Sequence, residues 1–161
     1  MTISFILNGE DVIIHSEVNE RLADILHSQF DLFGAKTCCL SGKCGHCTVI
    51  YNGSVSNACL IPAFRLRGSE IITIEGFSQT DEYQDIITGF AQVELETCGY
   101  CSTSKILNAG ALLDRIKRPS HKEILHAFSG VRCRCTDPEK LIEGIERAVE
   151  LRFRRLHGRT A

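Results

Sequence analysis

Gly34-Ala-Lys-Thr-Cys-Cys39-Leu-Ser-Gly42-Lys-Cys44-Gly45-His-Cys47-Thr48-Val49 gathers Cys39, Cys44 and Cys47 within nine residues. Three thiolates so close together force the backbone to wrap round a common centre. Gly42 and Gly45 supply the unusual dihedrals that such a wrap needs. Successive amide N–H groups then point inward, where they stabilise an anionic group. A fourth thiol, Cys59, completes C-x4-C-x2-C-x11-C. It lies beyond Asn52-Gly53, a strong hairpin signal, so a sheet delivers it back to the loop.

The flanking sequence supplies that sheet. Ile3, Phe5 and Leu7 alternate with polar or small neighbours before Asn8-Gly9, and Val12, Ile13 and Ile14 follow as a return strand. Asn19 is placed to cap a helix from Glu20 to about Gln29, with Leu22, Ile25 and Leu26 on its apolar face. A second hairpin runs from Cys47 through Asn52-Gly53 to Leu60, and a last strand spans Glu70 to Ile74. Together these predict a small mixed sheet packed on one helix.

The hydrophobic period changes near residue 76. Thr80 is placed to cap a helix over 81–93, and Cys101 to Leu113 is apolar at Ile106, Leu107, Ala109 and Leu113. Ser120 and Glu123 form an S-x-x-E capping box for 121–129. Asp137 with Pro138 opens a helix over 138–155, where Leu141, Ile142, Ile145, Ala148 and Val149 share a face. Four helices in succession read as a bundle. The expected division is therefore 1–76 and 77–161, with a short join.

This second half has its own four cysteines, Cys98, Cys101, Cys133 and Cys135. The first pair sits where a helix begins and the second between two helices, so positive helix N-termini would face a bound anion. Four thiolates hold a [2Fe–2S] cluster, and the spacing of the first group is that of plant-type ferredoxins. Structural zinc is the alternative for the first group, although it more often uses paired C-x2-C knuckles. Taken alone, the second group also fits zinc or a redox dithiol pair. Cys38, the ninth cysteine, lacks the spacing to Cys44 and reads as a small buried thiol.

Composition agrees with a small intracellular electron carrier. The 161 residues suit one domain or two small ones, and halves of roughly 80 residues have thin cores that metal clusters would help to hold. A formal charge of −2 gives no reason to expect nucleic acid as partner. The basic cluster Arg152, Arg154, Arg155 and Arg159 reads as a solvated terminus. The N-terminus lacks the features of a secretory signal, and no run is long enough to span a membrane, which predicts a cytoplasmic protein. In that reducing compartment the cysteines are expected as ligands or thiols rather than disulfides.

The loop from Gly34 to Val49, Cys98-Gly-Tyr-Cys101, and Ser129-Gly130-Val-Arg-Cys133-Arg134-Cys135-Thr136 resemble the small iron–sulfur subunit of the xanthine dehydrogenase family of molybdenum hydroxylases. The likeness covers about residues 1–150. It implies an α+β chain, with an N-terminal β-grasp, plant-type ferredoxin-like domain followed by a C-terminal four-helix bundle. Each domain would hold one [2Fe–2S] cluster, the first on Cys39, Cys44, Cys47 and Cys59 and the second on Cys98, Cys101, Cys133 and Cys135. The resemblance implies an electron-transfer subunit with no catalytic residue of its own. Its partners would be a large subunit with molybdenum and a pterin cofactor and a medium subunit with FAD, a dimer of heterotrimers being one arrangement.

Cys135 is the implied contact to the pterin. The glutamine that the family usually places before CGxC is Thr97 here, the usual Thr-Pro-Gly after it is Ser102-Thr103-Ser104, and His46 stands where alanine is usual. Leu40, Ser41 and Tyr100, within the cluster loops, are candidate docking positions. The competing functions are a free two-cluster ferredoxin or redox sensor and a zinc-stabilised interaction module.

Overall fold

The computed structural model describes residues 1–158. Strands β1 (Thr2–Leu7), β2 (Glu10–His15), β3 (Thr48–Tyr51), β4 (Ser54–Asn57) and β5 (Glu70–Ile72) form one mixed sheet in the order β2-β1-β5-β3-β4. Only β1 and β5 run parallel. Among the described residues, six α-helices accompany it: α1 (Leu22–Phe30), α2 (Ile74–Phe77), α3 (Asp81–Gln92), α4 (Ser102–Arg115), α5 (His121–Phe128) and α6 (Pro138–His157). The chain is therefore α+β.

Both Asn-Gly pairs make the expected turns, with positive φ at Asn8, Gly9, Asn52 and Gly53. Each asparagine side chain also ties its hairpin to an end of β5, Asn8 to the residue just after it and Asn52 to its first residue. Asn8 Oδ1 accepts from the Thr73 amide at 2.8 Å, and Asn52 Oδ1 accepts from the Glu70 amide at 2.8 Å. Alternation along β1 turns Ile3, Phe5 and Leu7 onto α1, whose Leu22, Ala23, Ile25 and Leu26 are buried against them.

Three local expectations need correction. Asn19 does not cap α1, which starts after Arg21. Glu20 and Arg21 are held out of the helix by the segment after Cys59, through Ala63 N–H to Glu20 O and Leu22 N–H to Ile61 O, both 2.8 Å. The return strand of the second hairpin stops at Asn57, and Ala58–Leu60 turns as a 3-10 helix that carries Cys59. Finally, β5 ends at Ile72, because the chain winds into α2 once Asn8 has bound Thr73.

In the second half, the side chains of Thr80, Ser120 and Asp137 each accept an amide hydrogen bond and open α3, α5 and α6. α3 packs against α4 and α6, and α5 also touches both of those. Their shared core includes Phe77, Ile86, Phe90, Leu107, Ile124 and Ile145. Ile50 of β3 belongs to this second core, while its neighbour Val49 belongs to the first. The sheet is thus covered on both faces, by α1 on one and by α4 on the other. Among the described residues, no helix is long and apolar enough to cross a membrane.

Candidate functional site

The loop from residue 34 to 47 is anchored from outside. His27 Nε2 meets the Ala35 carbonyl at 2.7 Å, Thr48 Oγ1 donates to Gly45 O at 2.6 Å, and Asn57 Nδ2 donates to Gly42 O at 3.3 Å. Gly42 and Gly45 both adopt φ +73°. With its carbonyls held outward, the loop turns amides inward: Ser41 N–H and Lys43 N–H reach Cys39 Sγ at 3.5 and 3.3 Å. Hydrogen bonds from Ser41 foremost, then with Cys44, bring the Cys39 thiol down to about 5.

Cys39 meets Cys44 and Cys47 meets Cys59, so the first group forms two sulfur pairs, and the charge on Cys44 is felt at Cys47. The Ala58 amide, bonded to Cys47 O at 2.9 Å, fixes the turn that brings Cys59 in. Cys44, Cys47 and Cys59 are buried. Burial, followed by contact with Cys59, pushes the Cys47 thiol up to about 12. Cys38 departs from expectation: it is exposed, with its sulfur, the Cys44 sulfur and a ring nitrogen of His46 within 4.8 Å of one another.

The second group converges as a chain of sulfurs. Cys98 and Cys101 lie 3.3 Å apart, Cys101 and Cys133 3.5 Å, and Cys133 and Cys135 3.5 Å. Cys101 is the N-cap of α4, and Cys133 and Cys135 lie between α5 and α6. Burial, then the Cys98 and Cys133 contacts, raises Cys101 to about 12. Burial also opposes ionisation of Cys133, yet the hydrogen bond from Lys105 and the contact with Thr136 outweigh it and bring that thiol down to about 5.

Lys105 was not legible as a site residue. It follows Cys101 by four positions, which places both on one helix face, and its Nζ lies 3.0 Å from Cys133 Sγ. The i, i+4 spacing was the available signal, but a lysine in an amphipathic pattern ordinarily reads as solvated.

The two groups adjoin. The Arg132 amide donates to Cys44 O at 2.9 Å, and His46 Nε2 meets Arg132 O at 2.8 Å. A Cβ on Gly45 would fall 2.3 Å from the Gly130 carbonyl oxygen. Thr97, Tyr100 and Cys135 are exposed beside the second group, as are Leu40 and Ser41 beside the first.

Two sulfur pairs in the first group and a chain of four sulfurs in the second, with N–H donors at Cys39 and Cys133, fit the needs of a thiolate-bound iron–sulfur cluster. Known proteins agree. A family described as [2Fe-2S] binding domain matches residues 73–146. The chain is 40% identical over 150 residues to the nicotinate dehydrogenase small FeS subunit of Eubacterium barkeri, covering 93% of this chain and 96% of that one. It is 35% identical over 130 residues to one subunit of the probable xanthine dehydrogenase of Bacillus subtilis, with coverage of 81% and 75%. Among solved structures, quinoline 2-oxidoreductase from Pseudomonas putida 86 superposes with a TM-score of 0.82 at 32% identity, covering 95% of this chain and 96% of that chain.

Proposed function

This chain belongs to the small iron–sulfur subunits of the xanthine dehydrogenase family of molybdenum hydroxylases, and we propose that it conducts electrons between two cofactors held by its partners. One is a molybdopterin centre in a large subunit, where substrate is oxidised. The other is FAD in a medium subunit, and a dimer of such heterotrimers in the cytoplasm completes the reading. A bound [2Fe–2S] cluster supplies reversible one-electron chemistry. Cys39, Cys44, Cys47 and Cys59 hold the first, in a β-grasp half spanning 1–76. Cys98, Cys101, Cys133 and Cys135 hold the second, in a four-helix half spanning 77–161.

The junction between the two cysteine groups carries this reading. Arg132 is bonded covalently to Cys133 and by its amide, at 2.9 Å, to the Cys44 carbonyl. One hydrogen bond and one residue therefore link a ligand of each group. Buried Cys44, Cys47, Cys59 and Cys101 keep the inner sulfurs from water. At the outer ends, exposed Leu40 and Ser41 face the flavin subunit, and exposed Cys135 faces the pterin.

Affinity purification of the tagged chain from its native host tests the proposal. The expected result is a complex containing molybdenum, flavin and about four iron atoms per copy of this chain, with two distinct EPR signals on reduction. A chain with both signals that recovers neither molybdenum nor flavin would instead be a free two-cluster ferredoxin.

A further inference from the structure

Lys105 is 2% exposed in the first turns of α4. Its Nζ donates to Cys133 Sγ at 3.0 Å and to Thr136 Oγ1. Thr136 is oriented in turn by donating to the Glu96 carbonyl at 3.0 Å. Among the described residues, no carboxylate lies within ion-pair distance of Lys105. An ammonium so buried is strongly unfavourable unless an anion compensates it. The group in reach is the Cys133 sulfur, 3.0 Å away, which as a cluster ligand is a thiolate.

We infer that Lys105 sets the reduction potential of the second cluster, as a positioning residue that acts through Cys133. The inference rests on the proposed assignment of Cys98, Cys101, Cys133 and Cys135 as ligands. Iron–sulfur potentials follow net charge, hydrogen bonds to sulfur and solvent exposure. Reduction adds one electron to the cluster, breaks no bond and takes up no proton. The added negative charge is stabilised by a fixed positive charge at hydrogen-bond distance from a ligand sulfur, so the reduced form is favoured. At the first group, the donors to Cys39 are main-chain amides. Lys105 therefore raises the second potential selectively.

The test is an EPR-monitored redox titration of the full chain carrying both clusters, with dithionite as the one-electron reductant. The second-site signal is identified by its loss in Cys133→Ala. In Lys105→Met, at any fixed potential, the oxidised-to-reduced ratio at the second site should rise at least tenfold, equivalent to 59 mV downward for one electron. The first-site signal should not move, and Lys105→Arg should stay within threefold of the parent. Lys105→Gln, which keeps a polar group without the charge, should shift in the same direction as Lys105→Met. An unmoved second-site potential in both neutral variants would overturn the inference, as would a shift in Lys105→Arg equal to that in Lys105→Met. Loss of the second signal in both neutral variants but not in Lys105→Arg would also overturn it, in favour of a purely structural role. A parent protein with a single signal would instead defeat the ligand assignment.

Discussion

Thiol acidity sets Cys39 and Cys133 apart from Cys47 and Cys101 before any metal arrives. Cys39 and Cys133 lie near 5, lowered by Ser41 and Cys44 in one case and by Lys105 and Thr136 against burial in the other, whereas burial holds Cys47 and Cys101 near 12. Because the thiolate is both the nucleophile and the metal ligand, metal entering at Cys47 or Cys101 must expel a proton. In the cluster-free full chain at about pH 7, iodoacetamide should label Cys39 and Cys133 well before Cys47 and Cys101. Labelling of Cys39 and Cys133 should itself fade as pH falls through the lowered values near 5, and peptide mass spectrometry at several pH values reads both effects. Equal labelling of all four near pH 7 would contradict these environments. Gly45 makes a second test. Gly45→Ala combines a positive φ with a collision against a carbonyl, and is expected to cost at least about 2 kcal/mol in thermal unfolding. The need for glycine was legible from the loop, but its partner Gly130 was not, because the approach is made 85 residues later in the fold.

At the scale of elements, the signals that act within a few residues were legible. Asn-Gly turns, the Ser120 capping box and the Asp137-Pro138 helix start depend on local chemistry, and the structure has all of them. Expectations failed where a distant segment intervened, as at Asn19. The basic C-terminal cluster is another such case. Arg155 is not simply solvated: it bridges from α6 to Asp85 at 2.8 Å, Glu82 at 3.2 Å and Asp81 at 3.4 Å on α3, while Arg152 Nη1 donates to Leu113 O at 2.8 Å. Arg159 lies outside the described residues. Asp85 is 8% exposed, so Arg155→Met leaves a buried carboxylate without its cation and should cost about 3 kcal/mol in urea unfolding. Burial disfavours the Glu82 carboxylate, but contacts led by hydrogen bonds and the Arg155 charge hold it below its ordinary 4.5. Stability from that ion pair is therefore complete above about 4.5 and lost as pH falls through the lowered value, a loss that should vanish in Arg155→Met.

At the scale of the molecule, the sheet contributes residues to both hydrophobic cores. Val49 and Ile50 are consecutive residues of β3 with side chains on opposite faces, one in the core with α1 and the other in the core with the helices. A strand buried on both faces reads as a continuous apolar run, and Val49-Ile50 and Ile71-Ile72 carry that signal in brief. It was not legible as an interface because two-residue runs do not say what covers them. If the halves share this packing, a change at Ile50 must be felt by both. Ile50→Ala removes a side chain 8% exposed in the helical core, although the residue itself belongs to the sheet, and should cost about 2–4 kcal/mol. Thermal unfolding of the two-cluster protein should be followed by visible absorbance of the clusters and by far-ultraviolet circular dichroism of the helices. Both transitions should move down together and remain coincident, since in a single cooperative unit every probe reports the same equilibrium. A shift confined to one probe would mean that each half unfolds alone. The Arg132–Cys44 hydrogen bond would then be too weakly supported to hold the two cysteine groups in register.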